Sequence, residues 1–202
     1  MTDPTALPQV APFSILLPPG WARIPIDDHA DAVFADIIDG VVAEAPPERR
    51  AMLRGFLTHT AAGAITAARA QGALDVILSF AAVDGVPIPA SIATFRIEPD
   101  ASLGSTPERI LVSFATAGSR AVEIDGVPAI RRVRESAATD AGPAHRSIHF
   151  VFQHPVSNDW MLLTASIVKS EEIDLGDVLE ALEALIDAMV STIRFDRTAA
   201  LA

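Results

Sequence analysis

The sequence predicts an α+β domain: a largely antiparallel sheet of about six or seven strands, covered by helices. Three observations predict it. The last fifty residues read as strand, tight turn, strand, helix, short strand (Arg146–His154, Trp160–Lys169, Glu171–Ser191, Ile193–Phe195). Two Asp-Gly pairs, Asp84-Gly85 and Asp125-Gly126, each fall between β-prone runs, and both residues of such a pair accept the positive φ that tight hairpins need. Between Asp28 and Ala70 the apolar residues recur at helical rather than strand spacing.

The elements follow in order. Residues 1–12 form a Pro-rich leader, expected to be mobile, and residues 198–202 a disordered tail; 13–197 is expected to be one domain. Phe13–Pro18 and Trp21–Ile26 are short extended segments around Pro18-Pro19-Gly20, a turn signal. Trp21, just past the turn, suits a core position under the sheet edge. Asp28 is expected to cap the first helix, with Asp31 completing a capping-box pattern. Val33, Phe34, Ile37, Ile38, Val41 and Val42 give that helix one wide apolar stripe. Pro46-Pro47 separates it from a second helix, Pro47–Ala70, since Pro suits a first helical turn. Its Ala61, Ala64 and Ala68 form a small-residue stripe, and Gly55 and Gly63 are expected where a neighbouring backbone comes close.

Leu74–Val83 and Pro87–Glu98 are expected to pair through Asp84-Gly85. Pro87 and Pro89 cannot donate to a ladder, which puts the start of the return strand at an edge or a bulge. Thr106-Pro107-Glu108 followed by Ile110, Leu111 and Phe114 predicts a short helix, although Leu111–Phe114 fits a strand equally well. Ser119–Ile124 and Val127–Ala137 form the second Asp-Gly hairpin, followed by a polar loop, Thr139–His145. In the closing hairpin Ile148, Phe150 and Phe152 share one face. Trp160, Leu162, Thr164 and Ser166 oppose Met161, Leu163, Ala165 and Ile167. Apolar residues on both faces predict a central strand covered on both sides, with the helical pair as the second cover.

Composition bounds the function. The chain has 202 residues, half of them hydrophobic and no cysteine, enough for one sizeable core and without disulfide or thiolate chemistry. Mean hydropathy is +0.35, yet charges or prolines interrupt every apolar run before the roughly 20 residues of a spanning helix, so no membrane insertion is expected. With no secretory leader pattern, the cytoplasm is the expected compartment. Fourteen arginines and one lysine against 26 acidic residues give a net charge of −11, which repels nucleic acid backbones. The bias to Arg and Ala is of the kind a GC-rich bacterial genome produces.

No phosphate-binding loop, dinucleotide fingerprint, nucleophile elbow or His-Glu-x-x-His pattern is present. Of the five histidines, His145, His149 and His154 are near one another in sequence, but i and i+4 in a strand lie about 13 Å apart. No metal or other cofactor is expected, and the balance leans away from an enzyme. Three weak candidate features remain. Arg132 and Arg134, in the cluster with Arg131, point the same way along a strand and suit an anion or acidic partner. Glu180 and Glu183 lie on the acidic outer face of the last helix, a docking face for a basic partner. Trp160, with Trp21, could line a ligand pocket. For each, solvated surface or ordinary core is the bland alternative.

Phe13-x-Ile15-x-Leu17-Pro-Pro-Gly20-Trp21 at one end, and Trp160-x-Leu162-Leu163-Thr164, an amphipathic helix and Ile193-Arg194-Phe195 at the other, together resemble the PsbP-like fold, an antiparallel sheet sandwiched by helices. That fold is shared by a photosystem extrinsic subunit, a small Ran-binding import factor and many actinobacterial proteins of unknown role. The resemblance implies a binding or assembly role, including service to a secretion or envelope machine, and transfers no site residue. The expected function is thus a non-enzymatic cytoplasmic interaction or assembly protein, acting through a protein partner or self-association. The alternative is a small-ligand-binding protein or enzyme with a pocket between the helical pair and the sheet.

Overall fold

The structure, a computed structural model, describes residues 13–80, 82–83, 86–97, 107–116, 118–139, 143–169 and 176–197. In chain order the elements are β1 (Phe13–Ser14), β2 (Trp21–Pro25), α1 (Ala30–Glu44), a 3-10 turn (Pro47–Arg49), α2 (Arg50–Ala70), β3 (Ala73–Ser79), β4 (Ala82–Val83), β5 (Val86–Pro87), β6 (Ala90–Ile97), α3 (Pro107–Phe114), β7 (Ser119–Ile124), β8 (Val127–Ser136), β9 (His145–Gln153), β10 (Trp160–Val168), α4 (Gly176–Ser191) and β11 (Arg194–Phe195). The expected leader, tail and Asp84-Gly85 turn lie outside the described residues, as does the expected start of the last helix at Glu171.

Seven strands form one sheet in the order β2-β3-β6-β10-β9-β8-β7, every neighbouring pair antiparallel. The chain is α+β, as its hairpin and helix patterns predict. β10 is the central strand, between β9 and β6. The β7–β8 turn has Asp125 at φ 50° and Gly126 at φ 79°, the paired positive φ expected of Asp-Gly. Residues 107–114 are helical, which resolves the ambiguity at Leu111–Phe114.

Strand alternation divides the side chains between two faces. On the first, Met161, Leu163, Ala165 and Ile167 join Ile148, Phe150, Phe152, Ile77, Ile92 and Trp21 in one buried cluster. α4 closes it with Leu179, Leu182, Ile186, Met189 and Val190. Each fully buried aliphatic side chain here contributes about 1.5–3 kcal/mol. β1 pairs with β11, and Phe13 meets Phe195 edge-on at 6.5 Å between ring centres, tying the two ends of the domain together. Trp21 is in this core, as its position past the turn suggests.

On the second face the helical pair forms a separate cluster. Phe34, Ile38 and Val42 of α1 and Ile65 and Ala68 of α2 pack over Ile24, Ala73 and Val76. The pair therefore covers β2, β3 and the adjoining residues Ala93 and Phe95 of β6. The expectation that it would cover the closing hairpin is overturned. Its β2–α1 and α2–β3 connections are short, so the helices stay over the strands they join. Leu162, Thr164 and Ser166 of β10 are only half-buried.

Three local expectations are also corrected. α1 begins at Ala30, and Asp27, not Asp28, supports its start: Asp27 Oδ1 accepts from the His29 N–H at 2.8 Å. Gly55 and Gly63 face open space, with nothing within 4 Å of where a Cβ would stand, so no backbone approach explains them. The long strand expected over Leu74–Val83 ends at Ser79, and β4 and β5 form a separate two-stranded ribbon.

Candidate functional site

The cluster Arg131, Arg132, Arg134 is split by the pleat of β8. Arg131 turns to the first face between Ala129 and Val133 and is 5% exposed. Its Nε donates to Asp187 Oδ1 at 2.7 Å and its Nη2 to Glu183 Oε1 at 2.5 Å. Burial disfavours the cation, but the hydrogen bonds and charges of Asp187 and Glu183 outweigh it and raise the Arg131 pKa above its ordinary value. Arg146 Nη1 donates to Glu183 Oε2 at 2.9 Å and Arg120 Nη2 to Asp187 Oδ2 at 2.8 Å. Glu135 accepts from Arg146 and pairs with Lys169, both at 2.5 Å. This chain of charges fastens α4 to the sheet.

Arg132 and Arg134 turn the other way. Arg132 is half-buried, Arg134 is exposed, and neither makes a hydrogen bond or ion pair among the described residues. Register places them in two rows across the second face, with Arg132 between Ser119 and His149 and Arg134 beside Ser147. One row runs Arg132, His149, Thr164, Ala93; the next runs Arg134, Ser147, Ser166, Ser91. His149 is the centre of this patch. Its Nδ1 is 3.1 Å from Thr164 Oγ1, its Nε2 is 3.1 Å from Ser147 Oγ, and the Phe114 ring of α3 packs edge-on against it at 6.5 Å. Burial first, then the charges of Arg134 and Arg132, hold the His149 pKa below its ordinary value, so the imidazole is neutral near pH 7. Ser147 is itself 7% exposed.

The patch presents two guanidinium forks and a set of hydroxyls, with no carboxylate paired to the guanidinium groups among the described residues. That is donor-rich chemistry suited to a carboxylate or phosphate. The three clustered histidines do three separate jobs. His145 Nδ1 contacts Pro143 O at 3.2 Å, and His149 lies in the patch. His154 is fully buried in the β9–β10 turn, where its Nδ1 accepts from the N–H groups of Val156 and Ser157 at 3.3 Å. Among the described residues, no group of three His, Asp or Glu side chains lies together as metal ligands would.

The remaining candidates separate. Glu183 does not belong to the outer face of α4. It stands at the edge of the buried stripe, four residues after Leu179 and three before Ile186, and is held by Arg131 and Arg146. Glu180 is exposed. Trp160 is 8% exposed and lines a cavity of about 520 Å³ with Leu111 of α3, Pro128 and Ile130 of β8, and Gln153 and Asn158. This cavity lies between α3 and the hairpin ends, not between the helical pair and the sheet. Period-two alternation places Arg132 with Arg134 and Ser147 with His149; their assembly into one patch depends on register, which local sequence does not carry.

No family model matches the chain, and no curated protein matches it. Among solved structures, the chain is similar to LpqN of Mycobacterium tuberculosis, described as involved in cell envelope biogenesis. The identity is 11%, the TM-score 0.44, and the match covers 94% of this chain and 86% of that one. Among the described residues, no helix is long and apolar enough to cross a membrane.

Proposed function

We propose that the protein is a non-enzymatic interaction protein that holds an acidic segment of a protein partner on the Arg132–His149–Arg134 patch. One observation carries this reading: two neighbouring guanidinium groups on one sheet face have no acidic partner among the described residues, in a chain whose net charge is −11. With acids in such excess, unpaired cations side by side are the unexpected feature. The half-buried Arg132 and the hydroxyls of Thr164 and Ser166 give the patch directional donors as well as charge. The involvement of Glu183 in holding α4 argues against the opposite arrangement, a basic partner on the acidic helix. The general binding or assembly role expected from the PsbP-like resemblance is compatible with this reading.

Two exposed ion pairs contribute only about 0.2–1 kcal/mol each, so a short acidic peptide should bind weakly, near the millimolar end of the affinity scale. Titrating hexaglutamate into ¹⁵N-labelled protein at low salt should shift the side-chain Nε–H signals of Arg132 and Arg134 and the ring signals of His149. Hexalysine should not. The double variant Arg132→Ala/Arg134→Ala should lose the response while keeping its fold. A response of equal size in the double variant, or none at these residues in the parent, rejects the proposal.

A further inference from the structure

We infer that the group recognised by the Arg132–His149–Arg134 patch is a phosphate monoester on the partner segment, a phosphorylated serine or threonine, taken in preference to a carboxylate. This rests on the reading above that the patch holds an acidic protein segment, and it names the acid. Arg132 and Arg134 stand two residues apart on one face of β8, so their Cα atoms are about 6.5–7 Å apart and both side chains can converge on one anion. Each guanidinium fork presents parallel N–H donors that match an edge of two oxygens. A carboxylate has a single such edge, which one arginine occupies. A phosphate monoester has three terminal oxygens and so three edges, and two arginines can each take one.

The surroundings add donors to the two forks. The charges of both arginines act on His149, which sets the forks toward β9. There the His149 ring meets Thr164 Oγ1 through Nδ1 and Ser147 Oγ through Nε2, each at 3.1 Å. A neutral imidazole has one donor and one acceptor nitrogen. One hydroxyl therefore donates into the ring, and the other accepts from it and keeps its own O–H for a ligand. Ser166, beside Ser147 in the register, is half-buried, and its hydroxyl makes no hydrogen bond among the described residues. Such a surplus of donors exceeds what one carboxylate accepts and suits three phosphate oxygens. The phosphate belongs to a protein segment and not to a lipid headgroup, because a chain with a net charge of −11 is repelled by an anionic bilayer.

The test uses the ¹⁵N-labelled full chain and three capped five-residue peptides that differ only at the central residue: phosphoserine, glutamate or serine. At a pH of about 7.5 the phosphate is mostly dianionic. The phosphoserine peptide should move the side-chain Nε–H signals of both Arg132 and Arg134. It should bind about tenfold more tightly than the glutamate peptide, the gain expected for one further charge-assisted hydrogen bond, and the serine peptide should give no response. Arg132→Lys and Arg134→Lys should each remove most of that preference, since lysine keeps the charge and loses the fork. Equal affinity of the unmutated chain for the phosphoserine and glutamate peptides overturns the inference, as does a response confined to one arginine or a preference unchanged in both lysine variants. Tighter binding to vesicles containing phosphatidic acid than to the phosphoserine peptide, at equal accessible phosphate, overturns the choice of protein over lipid. Hexaglutamate separates the two readings. If it moves the arginine signals while phosphoserine shows no preference over glutamate, this inference falls and the acidic-segment reading stands; if neither moves them, both fall.

Discussion

Arg131 and Arg132 are adjacent in sequence but should respond very differently to the same substitution. Arg131→Met keeps most of the stem packed near Phe150 and deletes the guanidinium. Two charge-assisted hydrogen bonds disappear, to Asp187 and Glu183, each worth about 1.5–3 kcal/mol. Three effects reduce the gross loss. Glu183 keeps Arg146 and Asp187 keeps Arg120. Both carboxylates still reach water, with side-chain exposures of 24% and 29%. Removing the buried guanidinium also removes its own desolvation cost. The net expectation is a destabilisation of about 2 kcal/mol, roughly 4–8 °C in Tm for a domain of this size. Arg132→Met deletes a guanidinium with no ion-pair partner among the described residues and should change stability by no more than about 0.5 kcal/mol. Thermal unfolding followed by circular dichroism, with urea unfolding as a second measure, decides the matter. Equal Tm values for the two variants would refute the assignment of Arg131 to the α4 face. In a double-mutant cycle with Asp187→Asn, the double variant should lose less stability than the sum of the two single variants.

Further outcomes follow from the same geometry. Gly55→Ala and Gly63→Ala should each stabilise the protein by about 0.5–1 kcal/mol, because both positions are in α2 and face open space; Gly126→Ala, at φ 79°, should destabilise it, and urea midpoints measure all three. Stability should fall in acid in two stages. His149 has its folded pKa below its ordinary 6.5, so the unfolded chain takes up this proton first and stability declines as pH falls from about 7 through the folded value; His149→Gln should remove this stage. Burial raises the pKa of Glu135, but hydrogen bonds from Lys169 and Arg146 and their charges outweigh it and hold it below its ordinary 4.5. Its contribution is complete above about 4.5 and is lost as pH falls through the folded value, a stage that Glu135→Gln should diminish in urea unfolding at stepped pH.

Elements whose determinants are local were legible in the sequence. The Asp125-Gly126 hairpin and the closing hairpin follow from turn chemistry and alternation. The core face of β10 follows from Met161, Leu163, Ala165 and Ile167. The position of Arg131 was legible as well, since it alternates with Ala129 and Val133 on an apolar face. So was that of Glu183, which has the spacing of the buried stripe of α4, although its acidic neighbours suggested an outer face. Long-range partners were not legible. Nothing near Trp160 indicates that it pairs with Ile97, and nothing near His149 indicates that Arg132 lies beside it and Phe114 above it. Those contacts depend on register and on where α3 comes to rest. The helical pair was misplaced for the same reason: its stripe shows that it covers something, but only the short β2–α1 and α2–β3 connections determine which strands.

The two faces of the sheet handle charge differently, and this contrast bears most directly on function. On the α4 face, Arg120, Arg131, Arg146 and Lys169 are matched by Glu135, Glu183 and Asp187. Each cation there has a structural use, and removing one leaves a carboxylate less satisfied. On the other face Arg132 and Arg134 stand one residue apart from that network and have no such match among the described residues. If their only task were solubility, adding cations would reduce the magnitude of a net charge of −11 and work against it. If their task were to stabilise the fold, a nearby carboxylate would be expected, and the chain has acids in excess. Burial first, and then the charges of Arg134 and Arg132, hold the His149 pKa below its ordinary value, and an incoming anion would relieve the part of that cost due to the arginines. Binding of an acidic group should therefore raise the His149 pKa, and the affinity for hexaglutamate should increase as pH falls toward the folded pKa of His149.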